Sequence, residues 1–188
     1  MFKEDIQRIH DLTEENSIIE KSQLDPAYFK PLYEKYFKRI FLFVYRRIGE
    51  KEITADITSQ IFLKALTNLK KYEPRGLPFS AWLFRIAINE CSSFFRKTKR
   101  ERLVSIDSAS VDTLFEDLTT DHGIEDLHRR LPHLLRKLSA DELQIIELRY
   151  FEQRPFKEVG DILGISETYA KVRVYRALDK MKRLFMTH

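Results

Sequence analysis

The sequence has few of the residues that disulfides, tight turns and membrane spans require. Its 188 residues include one cysteine, five glycines and six prolines. One cysteine excludes an internal disulfide framework and fits a reducing compartment, and scarce glycine and proline favour long helices. No apolar run approaches the roughly 18 residues that span a bilayer, and the first residues lack the apolar core of a signal peptide. We therefore expect a helical, cytoplasmic protein without a membrane span.

Motifs for catalysis, cofactors and metals are also lacking. The sequence contains no glycine-rich phosphate loop, no GxSxG and no HExxH. His122, His128 and His133 are six and five residues apart, a spacing that does not place two of them on one helical face. Cys91 falls among apolar residues, which is typical of a buried thiol. We expect no enzymatic activity, no cofactor and no metal site.

The net charge of +4 conceals an uneven distribution. Residues 28–102 carry 17 basic and 7 acidic side chains, a net of +10, and residues 128–188 carry 13 and 8, a net of +5. Residues 103–127 carry seven acidic side chains and no lysine or arginine. Two basic blocks around an acidic stretch favour nucleic-acid-binding surfaces. The alternative is charge balance for solubility alone.

The first basic block reads as a bundle of helices. Asp25 followed by proline predicts a helix start, and a helical apolar repeat then continues as far as Gly49. Further helices are predicted over about 53–70 and 79–101. The segment 72–78 contains two prolines and a glycine, so it is predicted to be a loop.

The acidic stretch separates the two blocks. Residues 104–123 are rich in serine, threonine and aspartate and lack a sustained helical stripe, which is typical of a linker. We predict an all-α fold of two small domains, the second ending in a helix-turn-helix. The divisions are an N-terminal extension without an assigned role (1–24), a first domain (25–102), an acidic linker (103–127) and a second domain (128–188).

The second block ends in the helix-turn-helix pattern. Residues 139–142, SADE, form a capping box, a short helix follows over about 155–163, and a tight turn at Gly164 leads into a long helix from Ser166. Gly160 lies inside the short helix, where glycine costs about 1 kcal/mol relative to alanine. A close crossing by the following helix explains that glycine.

The terminal helix has two chemically different faces. At about 100° per residue, Ala170, Val174 and Ala177 fall on an apolar side. The other side mixes aromatic and β-branched residues with cations, which suits base edges and thymine methyl groups in a major groove, with flanking cations on phosphates. The alternative is a solvated amphipathic helix. The predicted DNA contacts are Ser166, Thr168, Tyr169, Lys171, Val172, Arg173, Tyr175, Arg176 and Lys180.

The helix predicted over about 79–101 repeats this design. Polar and basic residues recur on one face, with an indole at its edge, while the other face is apolar. Such a face suits single-stranded or opened nucleic acid, because bases stack on aromatic rings while cations hold the backbone. The alternative is a partly buried tryptophan with solvated cations beside it. The polar face holds Arg85, Asn89, Ser92, Arg96 and Lys99, with Trp82 at the edge.

Three stretches together resemble the sigma-70 family of bacterial RNA polymerase sigma factors, in its extracytoplasmic-function (ECF) class. They cover most of 32–102 and 130–184. The ordered combination is specific, whereas a helix-turn-helix alone is shared by many regulators. The stretches are LYEKYFKRIFLFVYRRIGE with DITSQIFLKAL; LPFSAWLFRIAINECSSFFRKTKR; and LSADELQIIELRYFEQRPFKEVGDILGISETYAKVRVYRALDKMKRL.

The resemblance implies a promoter-specificity subunit. The first domain is expected to bind the β′ clamp helices of core RNA polymerase and to recognise and melt the −10 element. The second is expected to read the −35 element in promoter DNA and to contact the β flap. An anti-sigma factor is a further candidate partner. The linker is expected to run toward the active-site and RNA-exit channel, which gives weight to a nucleic-acid mimic beside the alternative of a solvated spacer.

The resemblance also assigns residues by position. The loop 72–79 and the start of the next helix are expected to receive a flipped-out −10 base. Ser59-Gln60 stands where the family usually has glutamine and an acidic residue, and Thr168-Tyr169-Ala170 where it has Gly-Thr-Val. The implied −10 residues are Arg75, Phe79, Trp82, Arg85, Asn89, Ser92, Arg96 and Lys99, and the implied polymerase contacts are Asp56, Ser59, Gln60, Phe62 and Leu63.

Two other function classes are weighed against this one. A stand-alone helix-turn-helix regulator would bind duplex DNA as a dimer, but the sequence has no obvious zipper. A recombinase or nuclease would need clustered carboxylates or an activated nucleophile, and no such motif is evident.

Overall fold

The computed structural model describes residues 2–100, 102, 112–118 and 124–186, and the regular elements within these ranges are all helical. The predicted all-α class is thus confirmed for the described residues. The chain divides into two compact units, Met1–Leu103 and Val104–His188. No described helix combines the length and apolar composition that crossing a membrane requires.

Four α-helices build the described part of the first unit. Asp25 caps the turn before the second helix, because its carboxylate accepts a hydrogen bond from the Ala27 amide at 2.9 Å. Gly49 ends that helix in the left-handed conformation, with φ +77°. The helices are α1 (Phe2–Leu24), α2 (Lys30–Ile48), α3 (Lys51–Asn68) and α4 (Phe79–Thr98), with 3-10 turns at Pro26–Phe29 and Leu69–Lys71.

The core of the first unit lies between α2, α3 and α4. Phe43 of α2 and Phe84 of α4 are almost fully buried and meet edge to face, with ring centroids 4.8 Å apart. Helix α1 packs on this bundle through Ile19, which is fully buried, and through Glu15, which is 3% exposed. Residues 2–24 therefore belong structurally to the first unit.

The second unit contains five described α-helices. The predicted capping box is confirmed: Ser139 Oγ accepts from the Glu142 amide at 3.3 Å, and Glu142 Oε2 accepts from the Ser139 amide at 2.7 Å. The helices are α5 (Asp112–Leu118), α6 (Ile124–Arg136), α7 (Ala140–Ile146, continued by a π-helical turn at Glu147–Phe151), α8 (Phe156–Leu163) and α9 (Glu167–Met186).

Helix α5 corrects the expectation that residues 104–123 have no regular helix. Leu114, Phe115 and Leu118 are buried, and α5 packs against α9. The Tyr150 hydroxyl donates to the Asp117 carboxylate at 2.7 Å. Three apolar residues are too few to form a recognisable sequence stripe, yet they suffice once α9 offers a surface. Residues 124–127, also predicted as linker, begin α6, so the predicted boundary at 128 falls inside this helix. The remaining linker residues, 103–111 and 119–123, lie outside the described part.

The close helix crossing expected at Gly160 is confirmed. A Cβ there would lie 2.8 Å from the Ile165 carbonyl oxygen and 3.2 Å from the Glu167 amide nitrogen, both backbone atoms. Gly164 ends α8 with φ +69°, which favours glycine. The two glycines therefore fix the angle at which α9 leaves the turn.

Candidate nucleic-acid interface

The predicted outer face of α9 lies on the surface. The side chains of Tyr169, Val172 and Tyr175 are 48%, 38% and 49% exposed, whereas Ala170 and Val174 are fully buried. These three large side chains lie within about two turns of the helix. Side chains of this kind are more often buried, so their clustering in contact with solvent is unusual. The face offers van der Waals contact of the kind that reads thymine methyl groups.

The four cations of α9 that are predicted to contact DNA fall into two groups. Arg173 pairs with Asp141 at 3.6 Å, and Lys180 donates to Glu142 at 2.7 Å, so both tie α9 to the start of α7. Within the described residues Lys171 and Arg176 make no ion pair, and both are exposed. The outward pair therefore has the freer access to DNA, whereas the other two cations also stabilise the domain.

The Lys180–Glu142 contact changes the acidity of the carboxyl group. The hydrogen bond from Lys180, followed by that from the Ser139 amide, lowers the pKa of Glu142 below its ordinary 4.5. Glu142 thus stays ionised at neutral pH, where its charge favours the positive N-terminal end of α7.

The start of α9 has a local explanation. Ser166 Oγ accepts a hydrogen bond from the Tyr169 amide at 3.2 Å, so this residue acts as an N-cap. Thr168 is exposed beside it. Ser166 is exposed too, so the helix cap and a predicted DNA contact fall on the same residue.

The polar face of α4 follows the predicted spacing. Arg85 is half-buried, while the other four members of the row are exposed, and Arg75 is exposed in the preceding loop. Lys99 ends α4 in the left-handed conformation, with φ +55°. The exposed members of the row are Asn89, Ser92, Arg96 and Lys99.

An aromatic cluster lies where the loop meets α4. The Trp82 ring lies 4.8 Å from that of Tyr72 and 5.4 Å from that of Phe79, and Tyr72 and Phe79 meet edge to face at 5.3 Å. Trp82 and Tyr72 are half-buried, so each keeps an accessible edge. Trp82 can therefore pack partly in the core and still offer a ring edge on which a base could stack, so the two predicted alternatives do not exclude each other.

Phe79 requires a correction. It was expected among the −10 contacts, but its side chain is fully buried. Besides Tyr72 and Trp82, its neighbours are Phe29 and Tyr36, whose ring centroids lie 6.3 and 6.2 Å away. Phe79 therefore supports the accessible rings. Tyr72 was not singled out from the sequence, although an aromatic residue opening a proline-containing loop was the available signal.

The proposed polymerase face of α3 is mostly exposed. Asp56, Ser59, Gln60 and Leu63 are exposed, and Leu63 has 60% of its surface in solvent. Their spacing places them along one side of the helix. This side combines polar groups with one apolar contact point, as protein interfaces do.

Phe62 also requires a correction. It was expected to contact the polymerase, but it is only 4% exposed. Its ring lies 4.8 Å from that of Tyr33 and 6.2 Å from that of Phe37, both on α2. It therefore packs α3 on α2 and sets the orientation of the exposed face.

Metal binding and cavities are two further aspects of the described residues. Among them, no group of histidine, cysteine and carboxylate side chains is arranged to hold a metal ion. A cavity of about 430 Å³ lies between α5 and the π-helical turn, and burial together with the Asp117 hydrogen bond raises the pKa of the Tyr150 hydroxyl there. Its lining residues are Thr113, Asp117, Arg149, Tyr150 and Gln153.

Comparisons with known proteins agree with this geometry. The ECF RNA polymerase sigma factor BldN of Streptomyces coelicolor is 29% identical over 170 residues, which cover 89% of this chain and 64% of BldN. This chain thus spans less than two thirds of the length of BldN. SigW of Bacillus subtilis, also an ECF sigma factor, is 24% identical over 85% of this chain and 89% of its own.

Solved structures share the fold. CnrH in complex with the cytosolic domain of CnrY has a TM-score of 0.63 at 18% identity, covering 92% of this chain and 97% of that chain. The sigma factor RpoE in complex with the anti-sigma factor NepR from Bartonella quintana has a TM-score of 0.58 at 22% identity, covering 84% and 96%.

Two family models match the two units separately. Sigma-70 region 2 matches residues 32–101, which include α3, the loop and α4, and sigma-70 region 4 matches residues 134–183, which include the helix-turn-helix. Together they cover more than half of the chain, in the order that the sequence motifs predict. The chain belongs to the sigma-70 family of RNA polymerase sigma factors, in its ECF class.

Proposed function

We propose that this protein joins core RNA polymerase and directs it to promoters, reading the −35 element with α9 and recognising and melting the −10 element with the 72–79 loop and α4. The observation that carries the proposal is the pairing of each family region with its own exposed face of cations and large side chains. The protein acts in the cytoplasm as a recognition subunit without chemistry of its own.

The −35 assignment rests on the outer face of α9. A helix that follows a tight turn is the element that enters the major groove in helix-turn-helix proteins. Tyr169, Val172 and Tyr175 supply apolar contact, while Lys171 and Arg176 supply charge. Thr168-Tyr169-Ala170 differs from the usual family residues. We therefore expect this helix to prefer a −35 sequence different from that of family members with Gly-Thr-Val.

The −10 assignment rests on the aromatic cluster and the row on α4. Trp82 and Tyr72 present accessible ring edges at the start of α4, and Asn89, Ser92 and Arg96 follow further along the exposed side of the helix. An unpaired base can stack on such rings, and cations then hold the displaced strand. Melting is favoured because the opened strand is bound and the duplex is not.

The polymerase assignment uses the exposed side of α3. Asp56, Gln60 and Leu63 lie on one side of the helix, and Phe62 beneath them holds α3 against α2. We assign this face to the β′ clamp helices and the second unit to the β flap. An anti-sigma factor is a further proposed partner, because RpoE, one of the structural neighbours described above, was solved in complex with the anti-sigma factor NepR.

The test combines the purified full chain with core polymerase on a library of random promoter sequences. We expect start sites at sequences that share two short elements, absent with core polymerase alone. Failure to form a complex with core polymerase in a pull-down overturns the proposal. A palindromic footprint by a dimer without polymerase would favour the stand-alone regulator, and strand cleavage in the presence of a metal ion would favour an enzyme.

A further inference from the structure

We propose that α1 positions the −10-recognising loop, with Glu15 and Gln23 as the positioning residues. The inference rests on the proposed function, because it concerns the 72–79 loop and the start of α4. The region 2 match begins at residue 32, so α1 lies outside the part of the chain that the family model describes.

Glu15 caps α4 from a distant part of the chain. Its Oε1 accepts a hydrogen bond from the Phe79 amide at 2.6 Å, and its Oε2 accepts from Lys35 Nζ at 2.7 Å and from the Tyr36 hydroxyl. The N-cap residue itself is Pro78, whose ring has no acceptor to offer. A buried carboxylate therefore satisfies an amide that the local sequence leaves unpaired, and its charge favours the positive helix end.

Gln23 holds the other end of the loop. Its Nε2 donates to the carbonyl oxygens of Leu69 at 2.9 Å and Tyr72 at 2.8 Å. Glu15 and Gln23 lie eight residues apart, about 12 Å along the helix axis, and the fully buried Ile19 lies between them. One helix thus holds both ends of the loop at a fixed separation.

The consequence reaches the accessible rings through Phe79. Its amide is held by Glu15, and its ring packs against both Tyr72 and Trp82. Between the two anchors, residues 73–76 are exposed and have no buried side chain of their own. A pocket binds an unpaired base more tightly when its residues already have the geometry of the bound state. Loosening either anchor should therefore slow promoter opening.

The first experiment uses the isolated full chain. Trp82 is the only tryptophan in the sequence, so intrinsic fluorescence reports on the cluster. We expect Glu15→Ala and Gln23→Ala to raise the acrylamide quenching constant about twofold through local opening. Glu15→Gln keeps an acceptor for the Phe79 amide and should fall between these variants and the wild type. The matched control is Glu14→Ala, because Glu14 is exposed and lies on the same helix.

The second experiment uses holoenzyme. Losing a charge-assisted hydrogen bond should slow open-complex formation about tenfold in Glu15→Ala, with the constant for initial promoter binding changed less than twofold. The rate ratio between the preferred −10 sequence and one with a substituted base should also fall. A merely less stable protein would lose active fraction without losing this discrimination. Gln23→Ala removes no buried charge, so it covers the case in which Glu15→Ala does not fold.

The outcomes separate the two proposals. If the wild type opens promoters while Gln23→Ala and Glu15→Gln match Glu14→Ala in quenching, opening rate and −10 discrimination, the positioning role is wrong and the proposed function stands. If the wild-type holoenzyme does not open promoters at all, the proposed function fails and the inference fails with it.

Discussion

Arg176 lies on the exposed face of α9, beside Val172 and Tyr175. We expect Arg176→Ala to weaken binding to −35 duplex DNA by about 1–3 kcal/mol if the side chain reads a guanine. If it holds a phosphate instead, the slope of log affinity against log salt should fall by about one. Titration of holoenzyme against labelled duplex at several salt concentrations measures both.

Lys137→Ala is the control for Arg176, since Lys137 is an exposed cation of the same unit outside α9. An equal loss of affinity in both variants would mean that Arg176 contributes only to the overall field. That result would exclude a specific contact by Arg176, while the positive charge of residues 128–188 would still favour DNA binding.

Asn89 is exposed on the polar row of α4. We expect Asn89→Ala to impair open-complex formation while leaving −35 binding intact, because the amide lies on the unit assigned to the melted strand. Permanganate footprinting of the opened bases, compared with duplex binding, distinguishes the two steps. Thr67→Ala on α3 serves as an exposed control. Equal loss of both steps would mean that Asn89 is misassigned.

Glu142 predicts a pH dependence of stability. Its pKa is lowered in the fold by Lys180 and then by the Ser139 amide, so the charged form is the stabilising one. Its contribution is present above the unfolded value of 4.5 and is lost as pH falls through the lower folded value. Glu142→Gln keeps an acceptor for the Ser139 amide, so it should lose no more than about 1 kcal/mol at neutral pH, through the weakened ion pair with Lys180. It should also show a weaker decline in acid, measured by denaturation between neutral pH and pH 3.

Asp179→Asn is the control for the acid titration, since Asp179 is exposed and lies on α9. It should keep the wild-type decline. If Glu142→Gln also kept that decline, the pH dependence would come from other carboxyl groups.

The surface positions on α9 and α4 could be predicted because helical spacing alone decides which side chains share a face. The burial of Phe79 could not be predicted, because it depends on Phe29 and Tyr36, which lie more than 40 residues earlier in the chain and pack against it only in the fold. Glu15 was missed for the same reason, since its hydrogen bond to Phe79 spans 64 residues.

At the scale of the helices, the sequence predicts a helix end correctly where neighbouring residues determine it. The Asp25 cap, the Gly49 terminus and the 139–142 capping box all depend on neighbouring residues, and the structure has each of them. Helix α5 was missed because its stability comes from packing on α9 and not from its own short sequence. Tertiary contact decides such elements.

Gly160 gives a prediction about the α8–α9 pair. Gly160→Ala would place a methyl group against the backbone of the turn, 2.8 Å from the Ile165 carbonyl oxygen. Backbone atoms cannot rotate away as a side chain can, so we expect a loss of about 1–3 kcal/mol from overpacking. Chemical denaturation followed by circular dichroism measures it.

Lys157→Ala tests the same helix without the steric conflict, because Lys157 is exposed. Its free energy of unfolding should stay within about 0.5 kcal/mol of the wild type. An equally stable Gly160→Ala would mean that α9 can shift, and its −35 binding should then change.

At the scale of the whole molecule, the proposed function requires one chain to present two basic blocks to one promoter. The net charges of +10 on residues 28–102 and +5 on residues 128–188 favour association with DNA of any sequence, while the exposed faces of α4 and α9 are proposed to provide selectivity. We expect an insertion of about five base pairs between the two promoter elements to abolish initiation, because half a helical turn moves one element to the opposite side of the duplex. In vitro transcription from paired templates measures this.

The control for the insertion is −35 duplex binding, which should be the same on both templates. Undiminished initiation from the lengthened spacer would mean that only one unit contacts the promoter.

Lys180 is assigned two roles: it donates a hydrogen bond to Glu142, and it is a predicted DNA contact. The Glu142 oxygen that accepts from Lys180 also accepts from the Ser139 amide that begins α7. A DNA phosphate that draws Lys180 away therefore competes with a carboxylate that helps to hold the domain together. Protein and promoter therefore compete for one ammonium group, and because the pKa of Glu142 lies below 4.5, only acidification below that value would weaken the carboxylate's hold and release Lys180 to the DNA.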